Sequence, residues 1–168
     1  MTKEEWERMG AMPQHNASYT EISVIAHATE DLSKVKSAVL KVLPDQLAHK
    51  VEFRQTNMRG HHGNPIVELK IDVKNRKDAY EVLQKVLSGL SPLDSTLLDE
   101  ELAKHLDERN HLYLRLDKQR AFLGEPVLAS SDAISLTFRL KSRPRSLREL
   151  KAGLGTDRED GEGNNANL

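Results

Sequence analysis

Two adjacent imidazoles, His61 and His62, stand between glycines in the stretch Arg59-Gly60-His61-His62-Gly63-Asn64-Pro65-Ile66. The Arg59 guanidinium, the Asn64 amide and the imidazole N–H groups are all hydrogen-bond donors, and glycine-flanked backbone can add N–H groups around an anion. Turn chemistry alone does not ask for two histidines side by side. A phosphate or RNA contact is therefore the chemistry this stretch suggests, against the plainer reading that the pair only fills a hairpin turn. If the rings touch phosphate, affinity strengthens as pH falls through about 6.5, where a free imidazole gains its proton.

Two further sets of side chains suit a polyanion. In Tyr113-Leu114-Arg115-Leu116-Asp117-Lys118-Gln119, the alternation puts Tyr113 and Arg115 on one strand face, with Lys118 and Gln119 just past its end. Arg offers a planar fork for phosphate, Lys a point charge and Gln a polar edge. From Arg139 the cations Lys141, Arg143, Arg145, Arg148 and Lys151 follow with only Glu149 against them, a stretch able to track a phosphate backbone. The bland reading of both sets is a solvated surface. Other chemistry has less behind it. The remaining histidines show no metal-ligand spacing toward His61 and His62, and there is neither Cys nor a His-Glu-x-x-His helix, so no metal and no cofactor are expected. No nucleophile elbow and no Gly-rich phosphate loop after a strand is present.

The elements that must hold these residues can be read from period. Residues 19–28 alternate as a strand, and Thr29 or Asp31 then caps a helix carrying Leu32, Val35, Val39 and Val42, which Pro44 stops. Val51, Phe53 and Gln55 alternate on one side of the histidine stretch, and Val67, Leu69, Ile71 and Val73 on the other, predicting two strands joined by a loop. Asn75 caps a second helix that ends near Gly89, and a third, more acidic one runs from Ser91 to about Asp107. Strands over 110–116 and 133–141 flank a helical turn ended by Gly124. The order β-α-β-β-α-α-β-(α)-β predicts an α+β fold, a mainly antiparallel sheet with helices packed on one face and the other face open. We expect a flexible lead-in over 1–17 with a short helix around Trp6, one domain over 18–153 and a disordered acidic tail over 154–168.

Composition narrows the class. The 168 residues suffice for one domain with a real core, and 25 Lys+Arg against 26 Asp+Glu make local rather than net charge the guide to partners. The absence of Cys removes disulfides and thiol nucleophiles. No apolar run suggests a membrane span, and the acidic start lacks a signal-peptide core, so a cytoplasmic protein is expected. Aromatic residues make up only 4%, which weakens any function built on stacking bases against rings.

Three segments in their order and spacing go beyond generic pattern: residues 18–31 (Ser-Tyr-Thr-Glu-Ile-Ser-Val-Ile-Ala-His-Ala-Thr-Glu-Asp), Gly60-His61-His62-Gly63-Asn64-Pro65-Ile66, and Tyr113 through Gln119. Over roughly residues 18–141 the chain resembles an archaeal family of RNA-binding proteins predicted to associate with the exosome. The resemblance implies a fold similar to the large-subunit ribosomal protein that cradles 5S rRNA, and carries over no catalytic residue. The function expected is a non-catalytic RNA-binding accessory protein in archaeal RNA processing or decay. Its contacts would be Arg59, His61, His62, Asn64, Arg115, Lys118, Gln119, Arg139, Arg143 and Arg145. Structured or duplex RNA suits so few aromatics better than stacked single strands. Exosome subunits are further expected partners, and dimerisation is left open. The alternatives are a protein-interaction adaptor without RNA contact, or a phosphate-ester hydrolase centred on the His61-His62 loop.

Overall fold

The computed structural model describes residues 16–152. The expected lead-in helix and acidic tail lie outside the described residues. Five strands form one sheet: β1 (Ala17–Ala26), β2 (Arg54–Arg59), β3 (Pro65–Val73), β4 (His111–Asp117) and β5 (Ala133–Leu140). Their order across the sheet is β2-β3-β1-β5-β4, every pair antiparallel. Among the described residues six α-helices accompany them: α1 (Leu32–Val42), α2 (Asp45–Ala48), α3 (Arg76–Gly89), α4 (Pro92–Glu100), α5 (Lys118–Phe122) and α6 (Leu147–Ala152), with a 3-10 turn at Leu102–His105. The fold is α+β, as the alternation predicts.

Alternation decides which face is buried. Ile22, Val24 and Ala26 of β1, Leu69, Ile71 and Val73 of β3, Leu112, Leu114 and Leu116 of β4, and Ile134, Leu136, Phe138 and Leu140 of β5 all face the helices. They meet Val35, Ala38 and Val39 of α1 and Val82, Leu83, Val86 and Leu87 of α3. Fully burying one such side chain stabilises by roughly 1.5–3 kcal/mol, so this single layer carries most of the fold. The helices start where short polar side chains can cap them. The Asp31 carboxylate accepts from Ser33 N–H, Asn75 from Asp78 N–H, and Ser91 from Asp94 N–H.

Two boundaries and one added helix differ from expectation. Val51 and Phe53 pack against the core before β2 begins, so β2 starts at Arg54 and continues to Arg59, shortening the loop. The third helix ends at Glu100 and tightens into the 3-10 turn rather than reaching Asp107. The basic segment also contains α6, whose Leu147 and Leu150 are buried and whose Leu147 N–H is accepted by Asp99 (2.7 Å).

The two edges of the sheet are finished differently. Beside β4, Asp117 N–H donates to Val127 C=O (2.8 Å) and Ala129 N–H to Arg115 C=O (2.9 Å). Residues 127–129 thus lie along that edge as a strap. Its approach runs under the end of α3, where a Cβ on Gly89 would stand 2.6 Å from the Pro126 ring. Beside β2 no described strand pairs, and all six of its residues are exposed.

Candidate nucleic-acid interface

β2 and β3 are joined as tightly as a hairpin with two exposed rings allows. Arg59 lies opposite Pro65, Gly60 N–H donates to Asn64 C=O (2.6 Å), and Gly63 N–H donates to Gly60 C=O (2.9 Å). His61 and His62 are therefore the two central residues of a four-residue turn. Gly63 has φ +79°, a conformation that glycine adopts without the clash a Cβ would bring. Both histidines are exposed and meet edge to face, ring centroids 5.4 Å apart. The Arg59 guanidinium makes one long contact to Gly63 C=O (3.4 Å) and is otherwise open to solvent.

Opposite the turn, the chain leaving β1 supplies a second wall. His27, Ala28 and Thr29 enclose with Gly60, His61, His62, Asn64 and Ile66 a cavity of about 340 Å³. No carboxylate lines it. Three other cavities among the described residues each include at least one: Glu30 and Asp31 between α1 and α5, Glu52, Asp72 and Asp78 near the start of β2, and Glu125 beside Gly89.

Lys118 belongs to this end of the sheet, but it is not a free cation for phosphate, which corrects the expectation drawn from its place just past a strand. Only 6% of the residue is exposed. α5 begins at Lys118 and turns its ammonium under the end of β1, where it donates to Ile25 C=O (2.7 Å), Glu30 Oε1 (3.0 Å) and Asp132 Oδ1 (2.9 Å). All three of its donors are engaged within the protein. Asp132 Oδ1 also lies 3.1 Å from His27 Nε2, and Glu30 Oε1 accepts His27 N–H (3.0 Å). The hydrogen bond from Lys118, joined by His27 and opposed by burial, holds the Asp132 carboxyl below its usual pKa. His27, Glu30 and Asp132 bring ligand atoms within 4.8 Å of one another, a spacing suited to a metal. The ammonium among them already supplies the positive charge. Lys118 is thus a positioning residue: it fixes Glu30 and Asp132, and through them His27. Gln119, next in sequence, is exposed and lines the groove between α1 and α5.

Arg115 sits on the open face at the other edge, its guanidinium donating to Ser130 C=O (3.2 Å). Register reveals its neighbours. Arg54 lies opposite Lys70, Lys70 opposite Ser23, Ser23 opposite Ser135, and Ser135 opposite Arg115. One row of side chains thus crosses the whole open face, about 19 Å at ~4.8 Å per strand, with cations at its edges and hydroxyls between. Arg54 pairs with Asp72 (2.6 Å), and Lys70 stands 4.0 Å from Glu68. Sequence reasoning missed Arg54 and Lys70. Alternation placed Lys70 on the open face, but nothing local tells which residue of another strand lies beside it.

The remaining expected contacts lie at the far end of the sheet. Arg139 is opposite Tyr19 and His111, its guanidinium 5.2 Å from the Tyr19 ring centre. Burial, together with a hydrogen bond to Asp72, pushes the Tyr19 hydroxyl up to about 12. Arg143 donates to Asp107 C=O (2.9 Å), and Arg145 is exposed. Burial acts to raise the Asp107 carboxyl, but donors from His111, Tyr113 and Arg109 outweigh it and hold that group well below the usual carboxylate range. The structure therefore brings His61, His62 and Asn64 together around one cavity, with Arg59 at its margin. Arg115 stands across the sheet, and Arg139, Arg143 and Arg145 at its other end.

Comparison with known proteins gives these features a context. A family model described as RNA binding matches residues 19–140. An RNA-binding protein of Pyrococcus abyssi is 33% identical over 137 residues, covering 80% of this chain and 87% of that protein. An uncharacterised protein of Methanocaldococcus jannaschii is 32% identical over 123 residues, 71% of this chain and 82% of that one. Among solved structures, a protein from Archaeoglobus fulgidus superposes with a TM-score of 0.65 at 28% identity, covering 80% of this chain and 94% of that one.

Proposed function

Because the chain belongs to this archaeal RNA-binding family, we propose that it grips RNA across its open sheet face and histidine turn without catalysing turnover. The observation that carries the reading is the row Arg54–Lys70–Ser23–Ser135–Arg115. Its cations are surface groups, and exposed ion pairs such as Arg54–Asp72 are weak enough to exchange for phosphate. Its hydroxyls can meet phosphate or 2′-hydroxyl oxygens, and Tyr113 adds an exposed ring on this face (45%). Structured RNA, read by backbone and shape, fits such a surface better than stacked bases. Arg139, Arg143 and Arg145 add sequence-independent attraction at the far end.

Fluorescence anisotropy with a labelled RNA hairpin tests this. Wild-type affinity falls steeply with salt, and the Arg54→Ala/Arg115→Ala variant binds more weakly, with a salt slope shallower by about one unit per lost phosphate contact. A slope identical in wild type and variant removes the row from the interface. The finer part of the proposal is accessory work beside the exosome in RNA processing or decay, as monomer or dimer. It is supported by the sequence resemblance and tested by co-purification of exosome subunits that survives nuclease treatment.

A further inference from the structure

The cavity between the histidine turn and residues 27–29 is built differently from the open sheet face, and we propose that it seats a terminal phosphomonoester of RNA. This deepens the RNA-binding reading by assigning the pocket one chemical group, the phosphate at a 5′ or 3′ end. Three features carry it. First, the lining of the roughly 340 Å³ cavity has no carboxylate, in a chain with 26 acidic residues. Glu30 and Asp132, the two acids bonded to His27, are held by the Lys118 ammonium. Second, polar residues line it from two separate segments: His27 and Thr29 from the chain leaving β1, and His61, His62 and Asn64 from the turn. A terminal phosphate presents three unsubstituted oxygens and up to two negative charges, so donors on both sides find acceptors. An internal diester has two such oxygens and a chain that must enter and leave. Third, the walls are pre-set. The turn is closed by the Gly63 N–H to Gly60 C=O bond, and His27 is held through its backbone N–H by Glu30 and through its ring by Asp132. Ordering cost on binding is correspondingly small.

The test uses one hairpin sequence in four forms: 5′-phosphate, 3′-phosphate, hydroxyl at both ends, and covalently circular. At least one phosphate-ended form binds wild type about tenfold tighter than the hydroxyl and circular forms, the size of one charge-assisted hydrogen bond. The His61→Ala/His62→Ala variant, whose rings are exposed, loses that preference and binds the phosphate-ended and circular forms alike. Equal binding of all four forms overturns the pocket and leaves RNA binding standing. If none of the four binds, the RNA reading itself fails. The pocket is then judged by NMR titration with adenosine 5′- and 3′-monophosphate against adenosine. Shifts at His61 and His62 with a phosphate form alone sustain it, and equal or absent shifts overturn it.

Discussion

β2 and β4 are the two edge strands of one sheet, and both carry cations, yet the chain treats them in opposite ways. At β4 the backbone edge is covered by residues 127–129, Arg115 reaches Ser130 C=O, and Lys118 is buried with every ammonium hydrogen engaged. At β2 no described strand covers the edge, Arg59 ends the strand with one long contact to its own turn, and the turn holds His61 and His62 exposed. Residue type alone does not distinguish the two. Arg59 is the last residue of β2 and Lys118 the first past β4, but one cation stays available to a ligand and the other is a structural brace. A charge becomes part of a binding surface only where its counter-charges are absent or exposed enough to exchange, as at Arg54 but not at the buried Lys118.

The largest effect separates brace from ligand site by stability. Lys118→Met takes the buried ammonium from the partly buried Glu30 and the exposed Asp132, and with solvent screening the carboxylates the loss is about 1.5–3 kcal/mol, the scale of charged hydrogen bonds. Urea denaturation reads the loss, and a change below about 0.5 kcal/mol, the ordinary scale of surface substitutions, would place Lys118 in the same class as Arg59. The next effect is a pH dependence on the same side. Because the Asp132 carboxyl is lowered in the folded state, its contribution is full above the unfolded value of about 3.9 and disappears as pH falls through the folded one. Melting curves of wild type and Asp132→Asn should differ most near pH 6 and converge below about pH 4. A gap that widens with acid contradicts the assignment. The smallest effect belongs to the open edge: His61→Ala/His62→Ala shifts folding stability by no more than about 0.5 kcal/mol, because both rings are exposed. A larger loss by the same denaturation measurement would make the histidines structural and dissolve the contrast.

What could be read before any coordinates follows the same division. The buried face was legible because Leu112, Leu114 and Leu116, like Ile134, Leu136 and Phe138, alternate without interruption, and period-two burial is a local property. Helix starts were legible at Asn75 and Ser91 for the same reason. Register was not, since Ser23 lies between Lys70 and Ser135 through pairings distant in sequence. Val51 and Phe53 share the parity of a strand but pack on the core before one begins, which displaced the start of β2. α6 stayed hidden because Leu147 and Leu150 offer too short a stripe among arginines. Lys118 misled for a geometric reason: the helix starting there swings its side chain beneath the sheet, a direction that linear spacing does not carry.

The central place of β1 has a consequence for how the molecule comes into being. It leaves the ribosome before the other four strands, yet one neighbour is β3 and the other, β5, pairs Thr20 with Phe138. At ~5–20 residues per second, most of the domain must be synthesised, over roughly 6–24 seconds, before that seam can close. Until then the apolar side of β1 has only α1, α3 and a half-built sheet to shelter it. Such distant seams slow folding, and the interval before this one forms is when the nascent chain is most open to misassociation.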